Sequence, residues 1–319
     1  MLWPIPSRGV PCPVCKNISD DGVEQFGNFR FVRCPECTLE FCDPLKYDRE
    51  SYDRAYKGDD ADFYVPASSW LSQARQNLPE SKWMLFSAQQ NALRWVESSL
   101  PFASILDIGC GSGWFLARAR QMGFRVKGVE VGSLPVQLLK QKGFEVECGS
   151  LEAIPANWQP DVITLFEVLE HLPDPAEFLT KIRQRFQNSI FILSVPSPKR
   201  WTKGGKHRDI ADYPPNHLTR WNAESLQRAL SHAGYSKVEV SYPKPSSLET
   251  ASVSVHGLMK SWFGKMPDAL PNAIGDSKLR PLQKEITMRK LKCLPGFLFS
   301  NAFHLAGWSG ISMLGIAHP

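Results

Sequence analysis

Four cysteines near the amino end carry the clearest chemistry in this chain. Cys12-Pro13-Val14-Cys15 and Cys34-Pro35-Glu36-Cys37 enclose eighteen residues. Each C-x-x-C knuckle sets two sulfurs on one tight turn, and two knuckles at this separation complete a tetrahedral four-thiolate site of the zinc-ribbon kind. Four protein ligands leave no position open to a substrate. The zinc ion (Zn2+) expected at Cys12, Cys15, Cys34 and Cys37 is therefore structural. A thioredoxin-like redox pair needs one C-x-x-C beside a βαβ unit, and that setting is absent here. Cys42 stands close by, either a spare core thiol or a further ligand.

A second constellation begins at Ile105-Leu106-Asp107-Ile108, an apolar run interrupted by an acid, followed by glycines at 109, 111 and 113. A buried parallel strand that turns sharply into a helix reads this way. Glycines allow positive φ and let a ligand approach the main chain, and the helix start beyond them offers unpaired N–H groups. The dinucleotide fingerprint G-x-G-x-x-G fails, because Trp114 occupies its third glycine position. A second acid, Glu130, closes the apolar run that starts at Arg125, seventeen residues beyond Gly113. A carboxylate there can accept both hydroxyls of a ribose.

Two histidines complete the set. His171 follows Glu170 in the acid-rich turn that ends the run Asp161 to Phe166, and His217 lies in Pro214-Pro215-Asn216-His217, ahead of a helix. Imidazole titrates near neutrality, so either can serve as a general base, and either can instead fix a loop by hydrogen bonds.

An acid two residues before G-x-G-x-G resembles motif I of the class I, Rossmann-like S-adenosylmethionine-dependent methyltransferases. The segment Asp161 to Pro175 resembles the fourth-strand motif of small-molecule members, including the ubiquinone-pathway O-methyltransferases. A ribbon followed by Asp43-Pro44 and Tyr47, Tyr52 and Tyr56 is similar to the ribbons that precede some bacterial methyltransferases of sugars. The resemblance implies S-adenosyl-L-methionine as cofactor. It places Asp107, Gly109, Cys110, Gly111 and Gly113 at the methionine end and Glu130 at the ribose. Phe166 and Glu167 of the fourth-strand motif join the cofactor site. Many relatives meet the adenine with an acid where this chain has Ser150 and Leu151, which are expected to supply a hydrogen bond and an apolar face. His171 or His217 would remove the acceptor's proton, and the tyrosines would border the acceptor or pack the ribbon onto the next domain.

Periodicity supplies the elements that must position these groups. A helix is expected from about 79 to 100, and strands at Ser104 to Ile108, Arg125 to Glu130, Phe144 to Cys148, from Asp161, Ser189 to Val195, Ser236 to Tyr242 and Gly310 to Ala317. Helices follow at 114–122, 134–142 and 223–233, the last with Asn222 as N-cap. The expected fold is an α/β, Rossmann-like, seven-stranded doubly wound sheet, with a small N-terminal zinc ribbon. The reversed last strand is implied by the family alone. The ribbon spans 1–45, a linker or acceptor-side segment 46–78, and the methyltransferase domain 79–319, with an insertion at about 243–309. An insertion of that length reads as a lid or helical subdomain.

With 43% apolar and 22% charged residues the composition is ordinary globular, and a net charge of +5 is too mild to argue for nucleic acid by itself. Lys199 to Arg208 concentrates five positive charges. It reads as a solvated loop, or as one closing on an anionic small-molecule acceptor such as a nucleotide-linked sugar. The same charges would suit RNA in a zinc-ribbon RNA methyltransferase, and a non-catalytic S-adenosylmethionine-binding scaffold is the third reading. Leu294 to Ala317 lacks formal charge, but Pro295, Asn301, His304 and its glycines argue against a membrane span; peripheral membrane contact stays open. Met1 to Val10 has no basic and apolar leader pattern, so a cytoplasmic location is expected.

Overall fold

The computed structural model describes residues 9–45, 85–200, 212–245 and 312–319. Tyr47, Tyr52 and Tyr56, most of the basic loop after Arg200 and nearly all of the insertion at 243–309 lie outside the described residues.

Seven strands form the main sheet: β6 (Ser104–Ile108), β7 (Arg125–Glu130), β8 (Val146–Cys148), β9 (Val162–Phe166), β10 (Ile190–Pro196), β12 (Lys237–Ser241) and β13 (Ser312–His318). Their spatial order is β12-β13-β10-β9-β6-β7-β8. β6 pairs in parallel with β7 and β9, and β9 with β10. β13 runs antiparallel to both β10 and β12, so the last strand returns reversed into the sheet, as the resemblance implied. Every residue of β6 and β9 is buried. Strands covered on both faces read as near-continuous apolar runs, and that is how these two read in the sequence.

Helices α1 (Ser87–Ser99), α2 (Trp114–Gln121), α3 (Ser133–Gln141), α4 (Pro175–Arg185) and α5 (Ala223–His232) flank the sheet. α1 is shorter than its apolar spacing suggested. Phe86 has an extended backbone at ψ 162°, and the Gln89 side chain accepts from its N–H at 3.2 Å. The helix therefore starts at Ser87, and Leu85 and Phe86 belong to the approach. Leu93 and Val96 of α1 share an apolar cluster with Ile105 and Ile316. α5 begins as expected, with Asn222 Oδ1 accepting from Ser225 N–H at 2.9 Å.

The amino-terminal module holds a short β1–β2 pair (Val10–Pro11, Ile18–Ser19), then β3 (Asp21–Phe26), β4 (Phe29–Arg33) and β5 (Glu40–Asp43). A fourth strand, β11 (Thr219–Arg220), comes from far along the chain and completes this sheet in the order β11-β5-β4-β3. Val32, Leu39 and Phe41 of the module pack in one apolar core with Leu169, Trp221 and Leu226. Leu39 is fully buried and Phe41 1% exposed, each such burial stabilising by about 1.5–3 kcal/mol. The residue after the second knuckle is tied to the N-cap of α5, since Asn222 Nδ2 donates to Thr38 O at 3.1 Å.

Candidate functional site

The carboxyl ends of the parallel strands gather two groups of residues. The first surrounds the turn after β6. Register sets Asp107 beside Thr164 of β9, and the Thr164 hydroxyl donates to Asp107 Oδ1 at 2.7 Å. Asp107 is 3% exposed. Burial drives its pKa up to about 7, the Thr164 bond opposes the rise, and the charge of Glu130 adds to it. Asp107 thus ties the end of β6 to β9 just before the turn.

In the turn, Gly113 has φ +74°, and a Cβ there would come within 2.3 Å of Leu139 Cδ2. Gly111 differs. Its φ is +50°, and a Cβ would meet nothing within 4 Å, so this part of the turn faces open space over bare main chain. Glu130 closes that space from β7. Its two carboxylate oxygens accept from Gly111 N–H and Gly132 N–H, both at 2.8 Å. Each oxygen has two lone pairs, so the carboxylate keeps capacity for two further donors such as vicinal hydroxyls. Burial raises its pKa, and the two backbone N–H groups oppose that rise.

The other expected cofactor side chains have different places. Cys110 offers the turn only its backbone, because its side chain is buried with Leu116 and Val146. Leu151 is buried in the main core. The Ser150 hydroxyl bonds Glu152, and Glu167 Oε1 accepts from Ser194 Oγ at 2.7 Å. Phe166 packs on Phe115, ring centroids 4.7 Å apart. Glu167 has φ +54°, a strained conformation for a side-chain-bearing residue, held by its N–H donating to Ser194 O at 3.0 Å.

The second group lies beyond β9. A single-turn helix, Leu169–His171, follows the strained Glu167, and Val168 touches the glycine turn: a Cβ on Gly109 would come within 2.5 Å of Val168 Cγ2. Here the structure brings both candidate histidines together, ring centroids 4.9 Å apart at 69°. Glu170 lies between them, 4.0 Å from His171 Nε2 and 3.9 Å from His217 Nε2. It is 1% exposed, and neither carboxyl oxygen has a hydrogen-bond partner among the described residues. Burial, then the charge of Glu167, raises its pKa well above the usual carboxylate range.

The two imidazoles sit in different fields. His171 Nδ1 is 2.6 Å from Asn216 O. A carbonyl only accepts, so Nδ1 carries the proton. Burial, then the neighbouring His217, lowers the His171 pKa to about 3 against the opposing pull of two backbone carbonyls. His217 Nδ1 instead faces a carboxylate, Asp212 Oδ1, at 3.5 Å. Asp212 also forms an ion pair with Arg200. Burial works to raise Asp212, but His217 and Arg200 prevail and hold it at about 2. A cavity bordered by Pro196, Arg200, Asp212 and His217 has Thr38 and Glu40 of the cysteine module as its far wall. Sequence reasoning missed Asp212 and Thr164 and read Arg200 only as part of the basic run 199–208: an acid twelve residues from the arginine it pairs with has no local pattern to announce it.

The cysteine module brings its four sulfurs together, with Cys12 Sγ 3.5 Å from Cys37 Sγ and Cys15 Sγ 3.4 Å from Cys34 Sγ. All four lie within 4.8 Å of one another, the spacing of a tetrahedral thiolate site. Cys42 stands apart from this quartet. Its thiol donates to Pro44 O at 3.4 Å, and burial drives its pKa up to about 12, as befits a core thiol.

Residues 86–240 match the sequence profile of a methyltransferase domain family. A ubiquinone biosynthesis O-methyltransferase of Stutzerimonas stutzeri is 34% identical over 101 residues, 28% of this chain and 44% of that protein. One from Albidiferax ferrireducens is 33% identical over 96 residues, 26% of this chain and 38% of the relative. The chain thus spans less than half the length of these two relatives. A solved SAM-dependent methyltransferase from Archaeoglobus fulgidus is 17% identical with a TM-score of 0.44, over 72% of this chain and 94% of that one. The strand order with its reversed last strand, the glycine turn and the profile match agree: residues 86–240 form a methyltransferase domain with the class I, Rossmann-like fold of the S-adenosylmethionine-dependent enzymes.

Proposed function

We propose that this protein transfers the methyl group of S-adenosylmethionine to a small-molecule acceptor: a sugar, a glycan precursor, a lipid or another metabolite. The observation that carries the reading is the pairing of an open, side-chain-free stretch at Gly111 with the Glu130 carboxylate, across Val168 from two histidines. S-adenosylmethionine, when bound, supplies a sulfonium methyl that an acceptor's lone pair takes while the carbon–sulfur electrons stay on sulfur. The main chain from Gly109 to Gly113 receives the methionine end, with Asp107 just before it, and Glu130 takes the ribose hydroxyls. The turn Val168 to His171 and the segment before β11 orient the acceptor against that methyl, and holding two reactants in line supplies much of the acceleration. A histidine of this group receives the acceptor's proton.

Cys12, Cys15, Cys34 and Cys37 hold one zinc ion in this proposal. Four thiols this close cannot all ionise without a cation to offset their charge. Their metal fixes the module that forms the far wall of the acceptor cavity.

The test is incubation of the purified protein with methyl-labelled S-adenosylmethionine and whole-cell extract, followed by nuclease digestion. A nuclease-resistant, low-mass or lipid-extractable product is expected. Nuclease-sensitive label would overturn the small-molecule reading in favour of RNA.

A further inference from the structure

We propose that Glu170, His171 and His217 form a second metal site, separate from the cysteine quartet, that takes one divalent transition-type cation. The site stands on its own geometry; the chemical role given to the ion below rests on the methyltransferase reading above.

Glu170 is the group that calls for a cation. Its carboxyl is 1% exposed, and neither oxygen has a hydrogen-bond partner among the described residues. A buried carboxyl in that state is costly, and a bound ion or water is the ordinary remedy. Two imidazoles approach the same oxygen, Oε1, with their Nε2 atoms, His171 from 4.0 Å and His217 from 3.9 Å. These separations are too long for hydrogen bonds. They suit ligands of one ion, because two donors each about 2.1 Å from a metal lie no more than about 4.2 Å apart. All three donor atoms lie within 4.8 Å of one another, so small side-chain rotations complete the set.

The far side of each ring is held as metal-ligating histidines hold theirs. His171 Nδ1 donates to Asn216 O at 2.6 Å, and His217 Nδ1 faces the Asp212 carboxylate at 3.5 Å. A carbonyl and an ionised carboxylate only accept, so both rings carry the proton on Nδ1 and keep the Nε2 lone pair for a ligand. The main chain fixes the spacing between the two segments. Leu218 N–H donates to Glu170 O at 2.9 Å, which ties the residue after His217 to the residue that supplies the carboxylate.

Two imidazoles and one carboxylate favour zinc, cobalt, iron(II) or manganese over magnesium or calcium, which take oxygen ligands. Three protein ligands leave a position open. The two histidine side chains are 16% and 12% exposed, and His217 borders the cavity described above, so solvent and acceptor reach the group. An acceptor hydroxyl bound there loses its proton to solvent more readily, because the cation stabilises the oxygen anion. That oxygen attacks the sulfonium methyl, and the carbon–sulfur electrons stay on sulfur. Imidazoles whose Nε2 atoms hold the ion do not take the proton, so the base role of a histidine belongs to the protein without this ion. The acceptor class narrows to hydroxyl compounds.

The experiment is titration of Co2+ into the full, zinc-loaded chain, followed by visible absorption and proton NMR. One Co2+ per chain is expected to bind without loss of zinc. Its spectrum should lack the thiolate charge-transfer bands of a cysteine site and show two strongly shifted, exchangeable imidazole Nδ1–H resonances. His171→Gln and His217→Gln should each remove one of these resonances. Glu170→Gln should weaken Co2+ binding by at least about 10-fold, and Asp212→Asn, which acts from behind its histidine, by about 10- to 100-fold. Retained zinc content and circular dichroism identify the variants that fold, and any one of them decides. Absence of Co2+ binding beyond exchange at the cysteines, or binding that is unchanged in the variants and shifts no imidazole resonance, overturns the site. In the labelling assay the methyl is expected on oxygen, and a nitrogen- or carbon-linked methyl overturns the role given to the ion. A wild-type chain that binds Co2+ here but no S-adenosylmethionine would instead sink the methyltransferase reading and leave the metal site standing.

Discussion

The two halves of the site are built in opposite ways. In the proposed site the cofactor half is contiguous: one strand, one turn, the next strand and the bend after it, residues 104–132, supply every group in it except Thr164, and most of its contacts are made by main chain. The proposed acceptor half is assembled from distant segments. Glu170 and His171 follow β9, Asp212 and His217 precede β11, and the cysteine module supplies the far wall through β5 and Thr38. A half made of backbone tolerates sequence drift so long as its glycines and its two acids stay. A half made of side chains on separate elements can be re-aimed piece by piece, which is where one fold acquires different acceptors.

The contrast is tested most severely by removing the metal site. Cys34→Ser should release one equivalent of zinc and cost more than about 4 kcal/mol, because the module shares its core with Trp221 and Leu226. Metal analysis with denaturant unfolding measures both. Retention of full stability would break the idea that the module is part of the site. Next in size is Gly113→Ala, which combines positive φ with overpacking against Leu139 and should destabilise by about 3 kcal/mol. An unchanged unfolding midpoint would contradict that packing.

Glu130→Gln sharpens the account of the cofactor half. Loss of a charged hydrogen-bond acceptor should weaken S-adenosylmethionine binding about 10- to 100-fold by calorimetry. An unchanged affinity would remove Glu130 from the site.

A further test concerns pH. Asp107 binds its proton more tightly folded, at about 7, than unfolded, at 3.8. Its contribution is therefore fully present below the unfolded value and is lost as pH rises through that window. Asp107→Asn, which cannot ionise, should show a shallower fall in stability from pH 4 to 7 in urea unfolding. Parallel pH profiles would refute the buried placement of this carboxyl.

What could be read from the sequence follows the same division. The cysteine quartet, the glycine turn, Glu130 and the strands 104–108 and 125–130 were legible, because ligands or glycines at fixed local spacing carry their geometry with them. The pairing of two-residue β11 with β5 was not, since so short a strand has no periodicity. Asp212 was illegible for a related reason: its role depends on Arg200 and His217 meeting it in space. Ser150 bonds Glu152, Glu167 bonds Ser194 and Leu151 packs in the main core, contacts that local spacing does not announce. Helix α1 begins at Ser87, since apolar spacing alone does not reveal that Phe86 before it has an extended backbone.

The most direct measurement is a calorimetric titration of S-adenosylmethionine into the full-length chain and into Gly111→Ala. The account predicts one site per wild-type chain. It predicts at least tenfold weaker binding in the variant, at a stability cost of about 1–2 kcal/mol, because the added methyl enters the space the ligand needs while meeting no protein atom. Equal affinity in the two proteins, or no binding by the wild type, would contradict it.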